Sequence, residues 1–219
     1  MVKANKSVNP KLLAVDPSLQ SSGWVLFAIE DEAPLSWGVV ADNNSKLPLA
    51  KRLLTIQERI NDIFIDYCLG AKDILVCEGP APITLNPSSA TKVEHVRGIF
   101  ETLARQHKLT VPGRLNPRTV QIELLGLKGR QLERKEVKQT ARNLAQHLYG
   151  SKLTELLAGK DDKKLRQDVI DALLIGTLAV AKINLCQRMK ISLFDAFNEG
   201  ERAFKAGSRR GISWRSYVK

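Results

Sequence analysis

Cysteine is scarce and poorly placed for cross-linking: Cys68, Cys77 and Cys186 stand far apart and odd in number. No CxxC pair occurs, which argues against a zinc ribbon or a disulfide framework and makes a reduced, cytoplasmic setting the simplest expectation. Histidine is equally sparse. His95, His107 and His147 stand at no ligand spacing, so surface or packing roles are expected of them. No apolar run approaches the roughly 20 residues that a membrane-spanning helix needs. Residues 1–10 are polar and lack an apolar h-region, so a secretory signal is not expected. Internal repeats are lacking as well.

Positive charge is what the chain has in excess, with a formal net charge of +11 over 219 residues. The excess is clustered. Residues 102–142 hold ten Lys or Arg against three Glu, and residues 205–219 hold five basic and no acidic side chains. Clustering of this kind favours a polyanion bound through phosphate contacts and counterion release, although a basic solvated surface has the same composition. The length suits one sizeable α/β domain with a core of its own.

Periodicity divides the chain into alternating elements. Leu12-Leu13-Ala14-Val15 reads as a buried strand closed by the Asp16-Pro17 turn signal. Further strands are expected over 23–29 and 35–40, joined by short turns as an antiparallel meander. Leu49, Leu53, Ile56, Ile60 and Ile63 recur at helical spacing. A short strand over 73–77 stops at Glu78-Gly79-Pro80. Ser88 or Ser89 suits the cap of a helix carrying Val93, Val96, Ile99, Phe100 and Leu103 on one face. Leu109-Thr110-Val111 reads as a strand, and Asn116-Pro117 as an N-cap followed by proline at the first helical position. A helix over 133–149 turns Val137, Ala141, Leu144, Ala145 and Leu148 inward, with Gly150 as its stop. A charged loop over 159–164 precedes a strongly apolar helix over 166–185. The order predicts a mixed sheet covered by helices.

Four carboxylates stand at ends of these elements. Asp16 closes the first strand, Glu78 closes a later one, and Asp168 and Asp171 sit near the start of the apolar helix. Each has an ordinary explanation: a turn residue, a solvated strand end, a residue favoured by the positive end of a helix dipole. Asp171 is harder to explain that way. Its neighbours Val169, Ile170, Ala172, Leu173, Leu174 and Ile175 bury the helix, and an unpaired carboxylate there is costly. Spacing of i, i+3 places Asp168 and Asp171 on one face, where like charges repel unless a cation lies between them. Mg²⁺ is a hard ion that prefers carboxylate oxygen. Two such ions about 4 Å apart activate a water and stabilise the leaving oxygen in phosphodiester hydrolysis.

Taken together, these residues resemble the RuvC-type Holliday junction resolvases of the RNase H-like superfamily. The segment Asp16-Pro17-Ser18-Leu19-Gln20-Ser21-Ser22-Gly23-Trp24 resembles the family's opening motif. Glu78 after Ile74-Leu75-Val76-Cys77 resembles its second catalytic strand, and Val96-Arg97-Gly98-Ile99 lies in a helix like the one that follows. Asn116-Pro117-Arg118-Thr119-Val120, Gly126 to Gly129 and Arg134-Lys135-Glu136-Val137-Lys138 resemble its basic DNA-binding stretch. Asp168-Val169-Ile170-Asp171-Ala172-Leu173 resembles the closing acidic motif.

The resemblance implies an RNase H-like α/β fold over residues 11–187, after a tail of residues 1–10 and before a basic extension over 188–219. It implies a Mg²⁺-dependent endonuclease that resolves four-way junctions by paired hydrolysis, with Mn²⁺ able to substitute and two ions per site. Asp16, Glu78, Asp168 and Asp171 would be the metal ligands, with Lys135 assisting near the scissile phosphate. Arg118, Lys128, Arg130, Arg134, Lys135, Lys138 and Arg142 would contact DNA. Arg134, Lys138 and Arg142 also recur every four residues, a stripe that a solvated helix face shares. A homodimer is implied, meeting along residues 94–103 across a two-fold axis.

Departures bear on substrate choice. Ser18 replaces the glycine usual after Asp-Pro, and Ala81 stands where an aromatic would stack on an opened base. The alternative is therefore a phage-type relative cutting flaps, forks or other branched DNA with little junction preference. A sugar-kinase or actin-like ATPase needs glycine-rich phosphate loops, and residues 18–22 contain no glycine. Binding of junctions without catalysis is opposed by the intact carboxylate set. In the C-terminal extension, Leu193, Phe194, Phe197 and Phe204 could form one more packed helix. The end, Arg209-Arg210-Gly211-Ile212-Ser213-Trp214-Arg215-Ser216-Tyr217, mixes bases and aromatics as DNA-binding tails do, though a solvated tail has the same composition.

Overall fold

The computed structural model describes residues 9–42, 44–80, 87–126, 133–157 and 165–197. Within them the order is β1 (Lys11–Asp16), β2 (Ser22–Ala28), β3 (Ala33–Val40), α1 (Leu49–Asp66), β4 (Ile74–Glu78), α2 (Pro87–Gln106), β5 (Arg114–Leu115), α3 (Pro117–Leu125), α4 (Arg134–Leu157), α5 (Gln167–Met189) and α6 (Leu193–Phe197). One five-stranded sheet runs β3-β2-β1-β4-β5. The first three strands pair antiparallel, while β4 lies parallel to β1 and β5 parallel to β4. This is the mixed, helix-covered sheet of the RNase H-like fold.

Helices cover both sheet faces, so the central strands read as unbroken apolar runs rather than alternating ones. Strand parity then decides which side chain meets which layer. Leu12 and Ala14 of β1, Val25 and Phe27 of β2, and Ile74 and Val76 of β4 join the core beneath α5. The intervening Leu13, Val15, Trp24, Leu26, Leu75 and Cys77 join the opposite core, with Ile56, Ile60 and Phe64 of α1 and Val96, Phe100 and Leu103 of α2. Helix α5 has the length and apolarity of a membrane span, contrary to the expectation from its sequence, yet 72% of its most apolar window is buried inside the molecule. Its composition reflects a core position.

Four other expectations change. Ser88 and Ser89 lie inside α2, which already includes Pro87, so neither stands at its N-cap. Leu109-Thr110-Val111 contributes one bridge, Thr110 to Ile74, and the strand proper forms at Arg114–Leu115. Pro112 lacks the N–H that an uninterrupted ladder requires. Gly150 does not end α4. Tyr149 leaves helical geometry (φ −131°, ψ 15°), and the chain kinks and continues to Leu157, burying Leu153. Leu148, placed inward by its spacing, is 44% exposed. Asn116 caps α3 as its sequence predicts, accepting from the Arg118 N–H at 2.8 Å, with Gly126 as the left-handed C-cap.

Candidate active site

Parity also builds the site. Two residues beyond Ala14 is Asp16, and two beyond Val76 is Glu78, so both carboxylates point to the α5 face. The parallel pair Val15–Cys77 sets them side by side at the carboxyl ends of β1 and β4. That is where sheets of this kind hold ligands. The next strand over brings Gly23 opposite Asp16. A Cβ at Gly23 would lie 2.0 Å from the Asp168 carbonyl oxygen, so the missing side chain is what lets the first turn of α5 sit against the sheet. Asp168 and Asp171 arrive from that turn.

The four acids act on one another. Asp16 and Glu78 share a side-chain hydrogen bond, and the charges of Asp168 and Asp171 both act on Asp16. Burial pushes the Asp16 carboxyl well above the ordinary carboxylate range, and the neighbouring acids push it the same way. Burial also carries Glu78 up to about 7, against the opposing pull of its bond with Asp16 and of Arg97. Asp171 is raised by burial too, resisted by a hydrogen bond from Gln167 Nε2 at 2.9 Å and by the charges of Lys138 and Arg142. Such a set is held together at neutral pH by shared protons or by an added cation.

The donor chemistry fits a hard divalent ion. Among the described residues no three acidic, histidine or cysteine side chains enclose a common point as they stand. Their mutual perturbation shows how they are grouped: Asp16 lies within the field of Glu78, Asp168 and Asp171, and Asp171 within reach of both Glu78 and Asp168. Gln167 Oε1, one turn before Asp171, is buried with no hydrogen-bond partner, an acceptor that an ion-bound water would satisfy. Asp16, Glu78 and Asp171 would hold the ion, with Asp168 beside them.

Partners that sequence reasoning missed hold Asp168. Ser21 Oγ donates to Asp168 Oδ2 at 2.5 Å and accepts from Arg166 at 2.8 Å, while Arg166 lies 3.5 Å from the same carboxylate. Ser21 lies two residues before Gly23, within the Asp16–Trp24 segment that resembles the opening motif, and nothing else in the sequence singles it out. The basic residues divide. Lys138 lines a cleft of about 190 Å³ with Glu78, Asp171, Pro117, Val120 and Gln121. Arg142 donates to the Leu165 carbonyl at 3.1 Å. Lys135 is exposed on α4 and is not among the residues lining that cleft, whereas Lys138 lines it and acts, with Arg142, on Asp171. Arg118 is exposed on α3, whose Pro117 and Val120 line the same cleft. Lys128, Arg130 and Ala81 lie outside the described residues, as do the Arg134 side chain and residues 198–219.

Solved structures share this arrangement of elements. Thermus thermophilus RuvC, one structure of it in complex with a Holliday junction substrate, aligns at 19% identity and a TM-score of 0.56, over 82% of this chain and 96% of that one. The chain has the fold of the RuvC resolvases. The yeast mitochondrial Holliday junction resolvase Ydc2 aligns at 11% identity and a TM-score of 0.51, over 83% of this chain and 85% of its own. No protein-family model matches the sequence, and no curated protein matches it. In this RuvC-like fold, the four acids found by their position in the sequence converge where β1 and β4 lie side by side.

Proposed function

We propose that the protein is a metal-dependent endonuclease that cuts branched DNA, with four-way junctions as its preferred substrate. The observation carrying this reading is the convergence of Asp16, Glu78, Asp168 and Asp171 at the strand ends under the first turn of α5, with Lys138 in the adjoining cleft. When bound, Mg²⁺ would activate water and stabilise the leaving oxygen of the phosphodiester. Asp16, Glu78 and Asp171 supply oxygen ligands from rigid elements, and Ser21 with Arg166 fixes the rotamer of Asp168. Lys138, in the cleft beside the acids, would meet the phosphate, and Arg118 and Lys135, exposed on α3 and α4, would add positive charge for DNA.

A homodimer supports paired nicking, because two sites related by a two-fold axis meet two equivalent strands. Val96 and Phe100 are fully buried in the chain's own core, so they are not available to a second copy. The face of α2 left for one carries His95, Ile99 and Thr102 and borders a groove against Leu53 and Gln57 of α1. The test is incubation of labelled four-way, flap, fork and linear DNA with the protein and Mg²⁺, with the nicks mapped. Symmetric paired nicks on four-way junctions are expected. Equal cutting of flaps and forks assigns the protein to the broader branched-DNA nucleases, and no cutting of any substrate refutes the reading.

A further inference from the structure

Among the described residues Arg97 is the largest fully buried side chain, 2% exposed, in the layer where α2 packs on the sheet. A guanidinium is costly to desolvate, and an apolar residue of similar volume stabilises such a position at least as well. Its surroundings show what the charge does there. Arg97 Nε donates to the main-chain carbonyl of Glu78 at 2.6 Å, and its terminal nitrogen pairs with Glu94. Glu94 is shared with Arg114 of β5 at 3.2 Å, and Arg114 forks onto Glu101 at 2.7 and 3.0 Å. Glu94, Arg97 and Glu101 form one face of α2, and Arg114 pairs with Cys77, the residue before Glu78. One peptide further, the Gly79 N–H donates to the Leu115 carbonyl at 2.7 Å.

We propose that Arg97 is a positioning residue for Glu78: locked by Glu94 and Arg114, it clamps the Glu78 main chain so that the carboxyl is presented beside Asp16. The clamp works from the opposite side of the sheet, leaving the α5 face free for ligands. A forked guanidinium is required, since one side chain must reach the carbonyl and the Glu94 carboxylate together. Residues that orient a metal ligand typically change affinity about 10- to 100-fold when removed.

This rests on the nuclease reading, and the experiment separates the two. Full-length wild type, Arg97→Met, Arg97→Lys and Phe100→Leu are compared by thermal melting and by Mn²⁺ binding, read from the electron paramagnetic resonance signal of free Mn²⁺ without DNA. Nicking is then titrated with Mg²⁺. Phe100→Leu is a core change on the same helix that touches no charge, so it loses stability without losing metal affinity. Arg97→Met is expected to bind Mn²⁺ about tenfold more weakly or worse and to need correspondingly more Mg²⁺ for half-maximal nicking, with Arg97→Lys between it and wild type. Wild-type affinity in Arg97→Met, beside a fall in melting temperature like that of Phe100→Leu, reduces Arg97 to a structural ion pair and overturns the proposal. If Arg97→Met does not fold, Arg97→Lys decides by the same criterion: weakened binding supports the clamp and wild-type binding refutes it. Wild type that neither takes up Mn²⁺ nor nicks removes the metal site itself, and the clamp with it.

Discussion

Gly23→Ala adds one methyl group where the structure has no room. An ideal Cβ lies 2.0 Å from the Asp168 carbonyl oxygen, 2.2 Å from its carbonyl carbon and 2.7 Å from the Val169 nitrogen. Carbon contacts are comfortable near about 3.5 Å, so β2 and the first turn of α5 must separate by about 1.5 Å. All three obstructing atoms are backbone, and no rotamer relieves them. Overpacking of this kind costs about 1–3 kcal/mol, and the upper end applies here. For a chain of this length that lowers the melting temperature by several degrees, on the scale of about 2–4 °C per kcal/mol. The larger effect falls on chemistry, because the displaced turn carries Asp168 and Asp171 away from Asp16. A misplacement of about 1 Å costs on the order of 100-fold in rate. Gly176→Ala is the control. Its Cβ would meet the Phe27 ring at 2.1 Å, deep under α5 and away from the acids. Nicking at saturating Mg²⁺ and melting curves are measured on both variants. Gly23→Ala nicking at the wild-type rate, or Gly176→Ala losing as much rate at equal stability, refutes the assignment of Gly23 as the spacer that seats the site.

Asp16→Asn, Glu78→Gln and Asp171→Asn should each abolish cleavage while junction binding persists in a gel-shift assay; near wild-type nicking by any of them removes that residue from the mechanism. Lys138→Ala should lower the nicking rate more than Lys135→Ala, since only Lys138 lines the cleft with Glu78 and Asp171; the reverse order restores Lys135 as the assisting cation. Glu78 rises from an unfolded value near 4.5 to about 7, so the folded state holds the extra proton between those values. Its contribution to stability is then fully present below the unfolded value and lost as pH rises through about 7. Mg²⁺ should therefore raise the melting temperature more at pH 8 than at pH 5.5, and an equal rise at both is the contrary result. Ile99→Glu should reduce solution mass from dimer to monomer and eliminate paired nicks while leaving single nicks, whereas an unchanged mass moves the interface elsewhere.

Asp16, Glu78 and Asp171 stand out in the sequence because each interrupts an apolar pattern at a place where the pattern itself is unambiguous, whereas Asp168 follows Arg166 and Gln167 and stands out only by its spacing from Asp171. Asp16 ends a run of four apolar residues, Glu78 ends another, and Asp171 sits inside the most apolar helix. Their convergence follows from strand parity once β1 and β4 are known to be neighbours. Other features depend on information that no local pattern holds. Arg97, on a helix of mixed polarity, carries no local sign of its burial, which comes with the packing of α2 on the sheet and with β5 bringing Arg114 to Glu94 and Glu101. Lys135 and Lys138 are three residues apart, and which one meets the acids depends on the rotation of α4 about its axis. Gly150 has the residue type of a helix stop, yet the deviation falls on Tyr149, whose ring packs edge-on to Phe27 at 6.1 Å, and the helix continues past it.

Charge connects the fold to the proposed activity, although net charge overstates what DNA can meet. Of the ten basic residues over 102–142, Arg114 is held by Glu94 and Glu101, and Arg105 stands 3.9 Å from Glu101. Arg142 is tied to the Leu165 carbonyl and also acts on Asp171. Among the described side chains of that stretch, Lys138 lines the cleft, while Lys135 and Arg118 are exposed on α4 and α3. A polyanion is thus drawn to a surface whose centre is acidic, which is unfavourable unless the centre is neutralised. On the proposed reading, a divalent ion held by Asp16, Glu78 and Asp171 would convert that centre from repelling a phosphate to binding it, and the basic side chains nearby would then work with the site instead of against it. Ion and nucleic acid are therefore expected to bind with mutual reinforcement.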